Sequence, residues 1–204
     1  INLCDDRRVL GVSCAEYRQN GAFAEFVAVP ARILYRLPDA LPCEEAALVE
    51  SLSIALHAVE RVPISLGDTA LVVGAGTIGL LAIPVLKVRG CAPVAAADVA
   101  PERRALARKL GADVLIDTRT ADAQAEMRRL TDGRGAEVAV EAVGLPATVR
   151  TAVESVRKGG AIALVGNITP EVALPLQSVI SREVTLSGSC ASNGEYPACL
   201  ELMA

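Results

Sequence analysis

A glycine-rich segment near the middle of the chain, Gly-Ala-Gly-Thr-Ile-Gly, has the residue types and spacing that bind a dinucleotide pyrophosphate. Its first glycine allows a tight turn, its second lets the backbone approach the phosphates, and its third lets a helix pack closely on a strand. The helix that opens here directs its free N–H groups and positive dipole end at the same point. We therefore predict cofactor binding by Gly74, Gly76, Thr77, Ile78 and Gly79.

A carboxylate, Asp98, follows about twenty residues after Gly79, at the end of the next apolar run. At that position it can accept hydrogen bonds from both adenosine ribose hydroxyls and repel a 2′-phosphate. The sequence thus predicts NAD rather than NADP as the cofactor. Arg103, a few residues later, has two interpretations: contact with the adenosine, or a solvated helix charge.

Two further residue pairs follow later apolar runs. Val143 and Gly144 come after one predicted strand, and Val165 and Gly166 come after the next. Open α/β sheets bind ligands at the carboxyl ends of their strands. We interpret these four residues as lining the site of the nicotinamide.

The elements that must position these residues alternate between strand and helix from about residue 69 onward, as in a parallel sheet covered by helices. The pattern therefore predicts an α/β fold with a doubly wound parallel sheet. The predicted strands are Ala70–Val73, Val94–Asp98, Val114–Asp117, Val138–Glu141, Ala161–Val165 and Val184–Ser187. The predicted helices begin near Thr77, Pro101, Ala121, Leu145 and Leu174.

Residues before about 60 have a different pattern, typical of the edge of another domain. Residues Gly21–Pro30 alternate like a strand, and prolines then break the chain. A helical run is predicted from Pro42 through His57 towards Arg61, with acidic residues in its first turn.

Several short motifs, taken in order, give the chain a family resemblance over essentially its whole length. It resembles the medium-chain zinc-dependent alcohol and polyol dehydrogenases, most closely the sorbitol, threonine and sugar-alcohol-phosphate branch. Besides the glycine motif, the residues that carry the resemblance are Asn2-Leu3-Cys4, the segments 21–31 and 46–53, Lys109-Leu110-Gly111-Ala112-Asp113, Glu141-Ala142-Val143-Gly144, and Gly159-Gly160 before Gly166.

The resemblance implies a Rossmann domain over 58–188, preceded by a remnant of a GroES-like, β-rich catalytic domain and linking helix over 1–57. Residues 189–204 would begin the return to that domain, so the chain looks truncated at both ends. Glu50 matches the carboxylate ligand of the catalytic zinc and is our catalytic candidate; the alternative is an exposed helical glutamate. Cys4 matches the last of four structural-zinc cysteines, whose partners are absent, or is a bystander thiol. His57 is interpreted as structural.

The function expected from the resemblance is hydride transfer between a secondary alcohol or polyol and NAD, assisted by zinc in the full-length protein. We expect this chain alone to be inactive and to bind no catalytic zinc tightly, since Glu50 is one ligand where three are needed. Two alternatives stay open, a non-catalytic dinucleotide-binding module and a zinc-free enzyme that resembles quinone reductases. The loop 189–192 lacks the arginine of sorbitol dehydrogenases, so the alcohol is left unassigned.

The composition of the chain argues against some classes of partner and location. The net charge is −4, the chain has no basic run, and aromatic residues make up 2%, so no nucleic-acid partner is expected. The uncharged stretch Thr69–Leu86 contains three glycines and Pro84, which argues against a membrane span. Six cysteines without a C-x-x-C pair indicate reduced thiols and a cytoplasmic location. An apolar edge strand at Val184–Ser187 predicts a homodimer or homotetramer.

Overall fold

The structure, a computed structural model, describes residues 2–12 and 18–204; Cys14, one of the six predicted thiols, lies outside them. The strands are β1 (Val9–Leu10), β2 (Arg18–Gln19), β3 (Ala70–Val73), β4 (Val94–Asp98), β5 (Val114–Asp117), β6 (Ala136–Glu141), β7 (Val156–Leu164) and β8 (Thr185–Gly188). The helices are α1 (Cys43–Ala46), α2 (Val49–Glu60), α3 (Thr77–Val88), α4 (Pro101–Lys109), α5 (Ala123–Leu130), α6 (Pro146–Ser155), α7 (Leu176–Ser181) and α8 (Tyr196–Met203).

The last six strands form one parallel sheet in the order β5-β4-β3-β6-β7-β8. Strand β3 lies at the centre, with Ala70 in register with Val94 of β4 on one side and Val138 of β6 on the other. The chain therefore leaves β3 towards one edge and later returns to its other side. This reversal of direction creates the crevice in which open α/β sheets bind ligands.

Both faces of the sheet are covered, because successive residues of each strand point to opposite sides. Ala70 and Val72 pack into a core with α2, α3 and α8, whereas Leu71 and Val73 pack into a second core with α5 and α6. The sequence of a strand that is buried on both faces is a continuous run of apolar residues. The predicted doubly wound parallel sheet is confirmed.

Three predicted strands have the expected bounds and three are shifted. Strands β6 and β7 begin earlier than predicted, at Ala136 and Val156, and β7 ends at Leu164, so that Val165 lies just beyond it. Strand β8 is displaced by one residue from the predicted Val184–Ser187. Helix α4 ends shortly before Gly111, which has φ +103, a conformation that favours glycine.

The predicted strand at Gly21–Pro30 is wrong, because the structure has no strand there. Its two aromatic side chains, Phe23 and Phe26, are almost fully exposed, at 111% and 92%. An alternating pattern forms a strand only where a neighbouring strand accepts its backbone hydrogen bonds and a core covers its apolar face. Within the described residues neither is present at this segment.

The helical run predicted from Pro42 towards Arg61 is two helices rather than one. Helix α1 ends at Ala46, and the N–H of Leu48 donates to the carbonyl of Glu45, a tighter bond than an α-helix makes. Regular bonding resumes where the N–H of Leu52 donates to Leu48. A turn therefore separates the acidic first helix from α2, the helix that carries Glu50 and His57.

None of the helices in the described parts of the chain is both long enough and apolar enough to cross a membrane.

Candidate functional site

The glycine motif turns the chain from β3 into α3 in the way its spacing predicts. Gly74 has φ +92, and a Cβ added to Gly79 would lie 1.8 Å from the carbonyl oxygen of Gly74. A side chain at either position is therefore incompatible with the turn. At Gly76 the opposite holds, since no atom lies within 4 Å of an added Cβ. Gly76 thus leaves open space beside the first turn of α3, where helical N–H groups have no intrahelical partner.

Two further loops, which follow β6 and β7, converge on this turn, which itself follows β3. A Cβ on Gly74 would meet the side chain of Val143 at 2.2 Å, and one on Gly166 would meet the backbone of Val143 at 2.2 Å. Gly144 has φ +82, and a Cβ added to it would lie 2.4 Å from backbone atoms of both Gly166 and Asn167. The structure therefore brings together the residues predicted at these three strand ends.

Asp98, at the end of β4, has a fixed carboxylate that is 7% exposed. One of its oxygens accepts a hydrogen bond from the N–H of Ala75, at 2.7 Å, and the other accepts from Ala100, at 2.8 Å. The first bond ties the carboxylate directly to the glycine turn. An ionised carboxylate has about four acceptor positions, so the two bonds leave capacity for ribose hydroxyls.

The two arginines that follow Asp98 have different surroundings. Arg103 is 56% exposed and lies 3.9 Å from the Asp98 carboxylate, so both of its sequence interpretations stay open. Arg104 is 14% exposed and donates both to the Asp98 carbonyl and to the carboxylate of Asp117, at 2.8 Å each. Hydrogen bonds from Arg119 hold the pKa of Asp117 well below its usual range. Arg104 is therefore paired with a stable anion.

A cavity of about 600 Å³ opens on the other side of the crevice from Asp98. Ile78 of α3 and Val165 and Gly166 after β7 line it, together with the loop that follows β8. Thr77 is exposed at the start of α3. The cavity and the glycine turn thus share the first turn of α3, and together they extend along the carboxyl ends of the strands. An elongated ligand would span them.

The two predicted zinc ligands are both exposed. Glu50 lies in the first turn of α2, where the Ser51 hydroxyl donates to its carboxylate at 3.3 Å, and Cys4 lies in the N-terminal segment. Within residues 2–12 and 18–204, no three histidine, cysteine, aspartate or glutamate side chains come close enough to hold a metal ion. The described residues therefore do not by themselves form a zinc site, and both ligand roles stay predictions.

Sequence reasoning missed a polar network in which two residues, His57 and Asn2, line the cavity. His57 is bonded to Glu195 and Asn2, residues that are 138 and 55 positions away in the chain. No local pattern indicates such pairings, because they depend on how distant segments fold together. The one available signal was that the chain has a single histidine on a largely buried helix.

A second group that sequence reasoning left without a role is Glu141, the last residue of β6. Its side chain is completely buried, yet it has partners: both carboxylate oxygens accept from the N–H of Gly144, and one also accepts from Val143. The only sign of this group in the sequence is a glutamate at the end of an apolar strand. Glu141 fixes the loop that packs against Gly74.

Comparison with known proteins identifies the family of the chain. The zinc-binding dehydrogenase family matches residues 77–204. Sorbitol dehydrogenase of Bacillus subtilis is 33% identical over 204 residues, which is 100% of this chain and 57% of that protein. The chain spans about half the length of the curated relatives it matches.

Solved structures share the fold. L-idonate 5-dehydrogenase from Escherichia coli superimposes with a TM-score of 0.91 at 27% identity, covering 100% of this chain and 58% of that one. A Sinorhizobium meliloti protein solved bound to NADP gives a TM-score of 0.87 at 27% identity, covering 100% and 59%. This sheet therefore occurs in a protein that holds a dinucleotide.

Proposed function

The chain belongs to the zinc-binding dehydrogenase family, and from this premise we propose that it is the cofactor-binding part of an oxidoreductase that transfers hydride between a secondary alcohol or polyol and NAD. The observation that carries the proposal is the convergence of three glycine loops at one point of the crevice, with open space at Gly76 and an anchored carboxylate at Asp98. NAD, when bound, supplies the hydride acceptor.

The residues of the chain would bind and orient the two halves of the cofactor. The N–H groups at the start of α3 would donate to the pyrophosphate beside Gly76, and Asp98 would accept from the adenosine ribose. Val143, Gly144, Val165 and Gly166 would line the other half and limit the access of water to it. These roles follow from position at the carboxyl ends of β3, β4, β6 and β7.

NAD rather than NADP is supported by the charges around Asp98. An added 2′-phosphate would meet the Asp98 carboxylate, and Arg104 is already paired with Asp117. Arg103, which lies 3.9 Å from the Asp98 carboxylate, is 56% exposed on α4, and Arg119 is, like Arg104, paired with Asp117. Because a carboxylate repels a phosphate at the ribose, the site favours the unphosphorylated cofactor.

Zinc assistance is part of the proposal only for the full-length protein, with Glu50 as its carboxylate ligand. The other zinc ligands would come from outside the described residues, among which no group of three possible ligands lies together.

The test is a screen of the full-length gene product for NAD reduction with secondary alcohols, polyols and polyol phosphates. We expect reduction, followed as absorbance of NADH, with at least one member of these classes. Silence with every alcohol, for a protein that binds NADH and retains its metal, would contradict the oxidoreductase function while leaving dinucleotide binding intact.

A further inference from the structure

The single histidine of the chain, His57, lines the cavity, and both of its ring nitrogens have a polar partner. His57 Nδ1 is 2.7 Å from a carboxylate oxygen of Glu195, and His57 Nε2 is 3.1 Å from the amide nitrogen of Asn2. The His57 and Glu195 side chains are 12% and 10% exposed, and Asn2 is buried. These short polar contacts are therefore largely shielded from water, where hydrogen bonds have their greatest effect on position.

The partners of Asn2 determine where the imidazole carries its hydrogen. The amide nitrogen of Asn2 also donates to the carbonyl oxygen of Cys190, at 3.1 Å, and a carbonyl can only accept. This bond fixes the orientation of the amide, so its nitrogen also faces His57. Nε2 must then accept, which leaves the hydrogen on Nδ1, where it is donated to Glu195. The arrangement requires the neutral Nδ1–H form of His57.

The network joins three segments that are far apart in the sequence: the N-terminal residues, helix α2, and the loop between β8 and α8. Asn2, His57 and Cys190 all line the cavity. The far end of the loop is held by the bond between Glu195 and His57, and Glu195 also accepts a hydrogen bond from the N–H of Asn193 within the loop. Arg7 binds the carbonyl of Asn2 at the same place. His57 therefore connects the segments that form one wall of the cavity.

We propose that His57 is a positioning residue: in its Nδ1–H form it holds Asn2 and the 189–195 loop as the wall of the cavity that receives the nicotinamide half of the dinucleotide. The inference rests on the proposed function, because it takes the cavity beside Val165 and Gly166 as the nicotinamide site. It assigns His57 no contact with the reacting atoms.

The first test uses two ligands that share the adenosine half, NADH and ADP-ribose, titrated calorimetrically into the full-length protein. Replacing the imidazole by an apolar group, His57→Leu, is expected to weaken NADH binding by about tenfold or more. Binding of ADP-ribose is expected to change less than about twofold, because Asp98 and the glycine turn lie on the other side of the crevice. Glu60→Gln, elsewhere on α2, is the matched control and should change neither.

Two conservative variants separate the two bonds. His57→Asn keeps a donor near the Nδ1 position, towards Glu195, and His57→Gln keeps an acceptor near the Nε2 position, towards Asn2. Each should restore part of the NADH affinity that His57→Leu loses. A group that only fills space would give no such rescue, so equal affinity of all three variants for NADH would overturn the inference.

The second test needs no variant. Since the chain has one histidine, a long-range ¹⁵N–¹H spectrum reports its tautomer directly. At pH 8 we expect the hydrogen on Nδ1, and a hydrogen on Nε2 would overturn the assignment. If wild type binds ADP-ribose and NADH but His57→Leu weakens both equally, the loss is one of fold and the inference fails. If wild type binds neither ligand, the proposed function fails instead, whatever the tautomer.

Discussion

Asp98 is the residue on which the choice of cofactor depends. Its two oxygens are fixed by the N–H groups of Ala75 and Ala100, so the carboxylate is oriented before any ligand arrives. A carboxylate that is already oriented loses little conformational freedom when a ligand binds. More of the free energy of each hydrogen bond therefore contributes to affinity. Charge-assisted bonds of this kind contribute about 1.5–3 kcal/mol each.

Asp98→Ser and Asp98→Ala are therefore expected to weaken NAD binding at least about tenfold, roughly 1.4 kcal/mol. The same changes should improve NADP relative to NAD, because the charge that repels a 2′-phosphate is removed. Calorimetric titration of both cofactors measures the ratio, and Glu102→Gln, exposed on α4, serves as control. A wild-type preference for NADP, or an unchanged ratio in the variants, would refute this role.

Among the elements, the loop after β6 depends on one buried carboxylate. In Glu141→Gln the side-chain amide would place a donor against the N–H of Gly144, which now donates to both oxygens. We expect a loss of about 1–3 kcal/mol in the free energy of unfolding, measured by urea denaturation. Glu154→Gln, in an exposed pair with Arg150, should cost less than about 0.5 kcal/mol. Equal effects of the two changes would mean that Glu141 does not hold the loop.

How far elements could be predicted from sequence depends on whether their determinants are local. Strands β3 to β5 were predicted with the correct bounds because a doubly covered strand is apolar throughout and turn residues flank it. The Gly21–Pro30 strand failed because a strand also needs a partner, and the sequence pattern does not contain that information.

The residues of the site also differ in whether their determinants are local in the sequence. The glycines were predictable because their spacing reflects a single turn, and Asp98 because it ends the next strand. His57 with Glu195, and Glu141 with the turn that follows it, were not assigned. In the first case the contact joins residues 138 positions apart, and in the second the burial of a carboxylate depends on the packing of neighbouring loops.

At the scale of the molecule, strand β8 is one edge of the sheet and pairs only with β7 among the described strands. Unpaired backbone groups on an apolar edge favour association with a second copy. We predict a dimer or tetramer of the full-length protein by light scattering at micromolar concentration. Thr185→Lys, which puts a charge on this edge, should shift it towards monomer, while Ala147→Lys on α6 should not. A monomeric wild type would contradict the prediction.

The reactivity of each cysteine depends on whether the packing of the whole chain buries its thiol. Burial raises the pKa of the Cys91 and Cys199 thiols to about 11, so at pH 8 both hold less thiolate than an ordinary thiol. Among the cysteines that the structure describes, Cys4, Cys43 and Cys190 are exposed. Iodoacetamide followed by mass spectrometry should modify these three first, with Cys91 and Cys199 about a hundredfold slower until the protein is denatured. Fast modification of either buried thiol would show that its core is open.

The central claim, that this crevice binds a dinucleotide, is tested most directly by calorimetric titration of NADH into wild type, Gly76→Ala and Gly79→Ala. An added methyl at Gly76 meets no protein atom, so this variant should unfold like wild type and yet lose NADH binding, because the methyl occupies the space left for the pyrophosphate. At Gly79 the methyl would lie 1.8 Å from the Gly74 carbonyl, so stability itself should fall. Saturable binding by wild type, absent in a stably folded Gly76→Ala, is the predicted result; undiminished binding by Gly76→Ala, or none by wild type with either NADH or NADPH, would contradict the account.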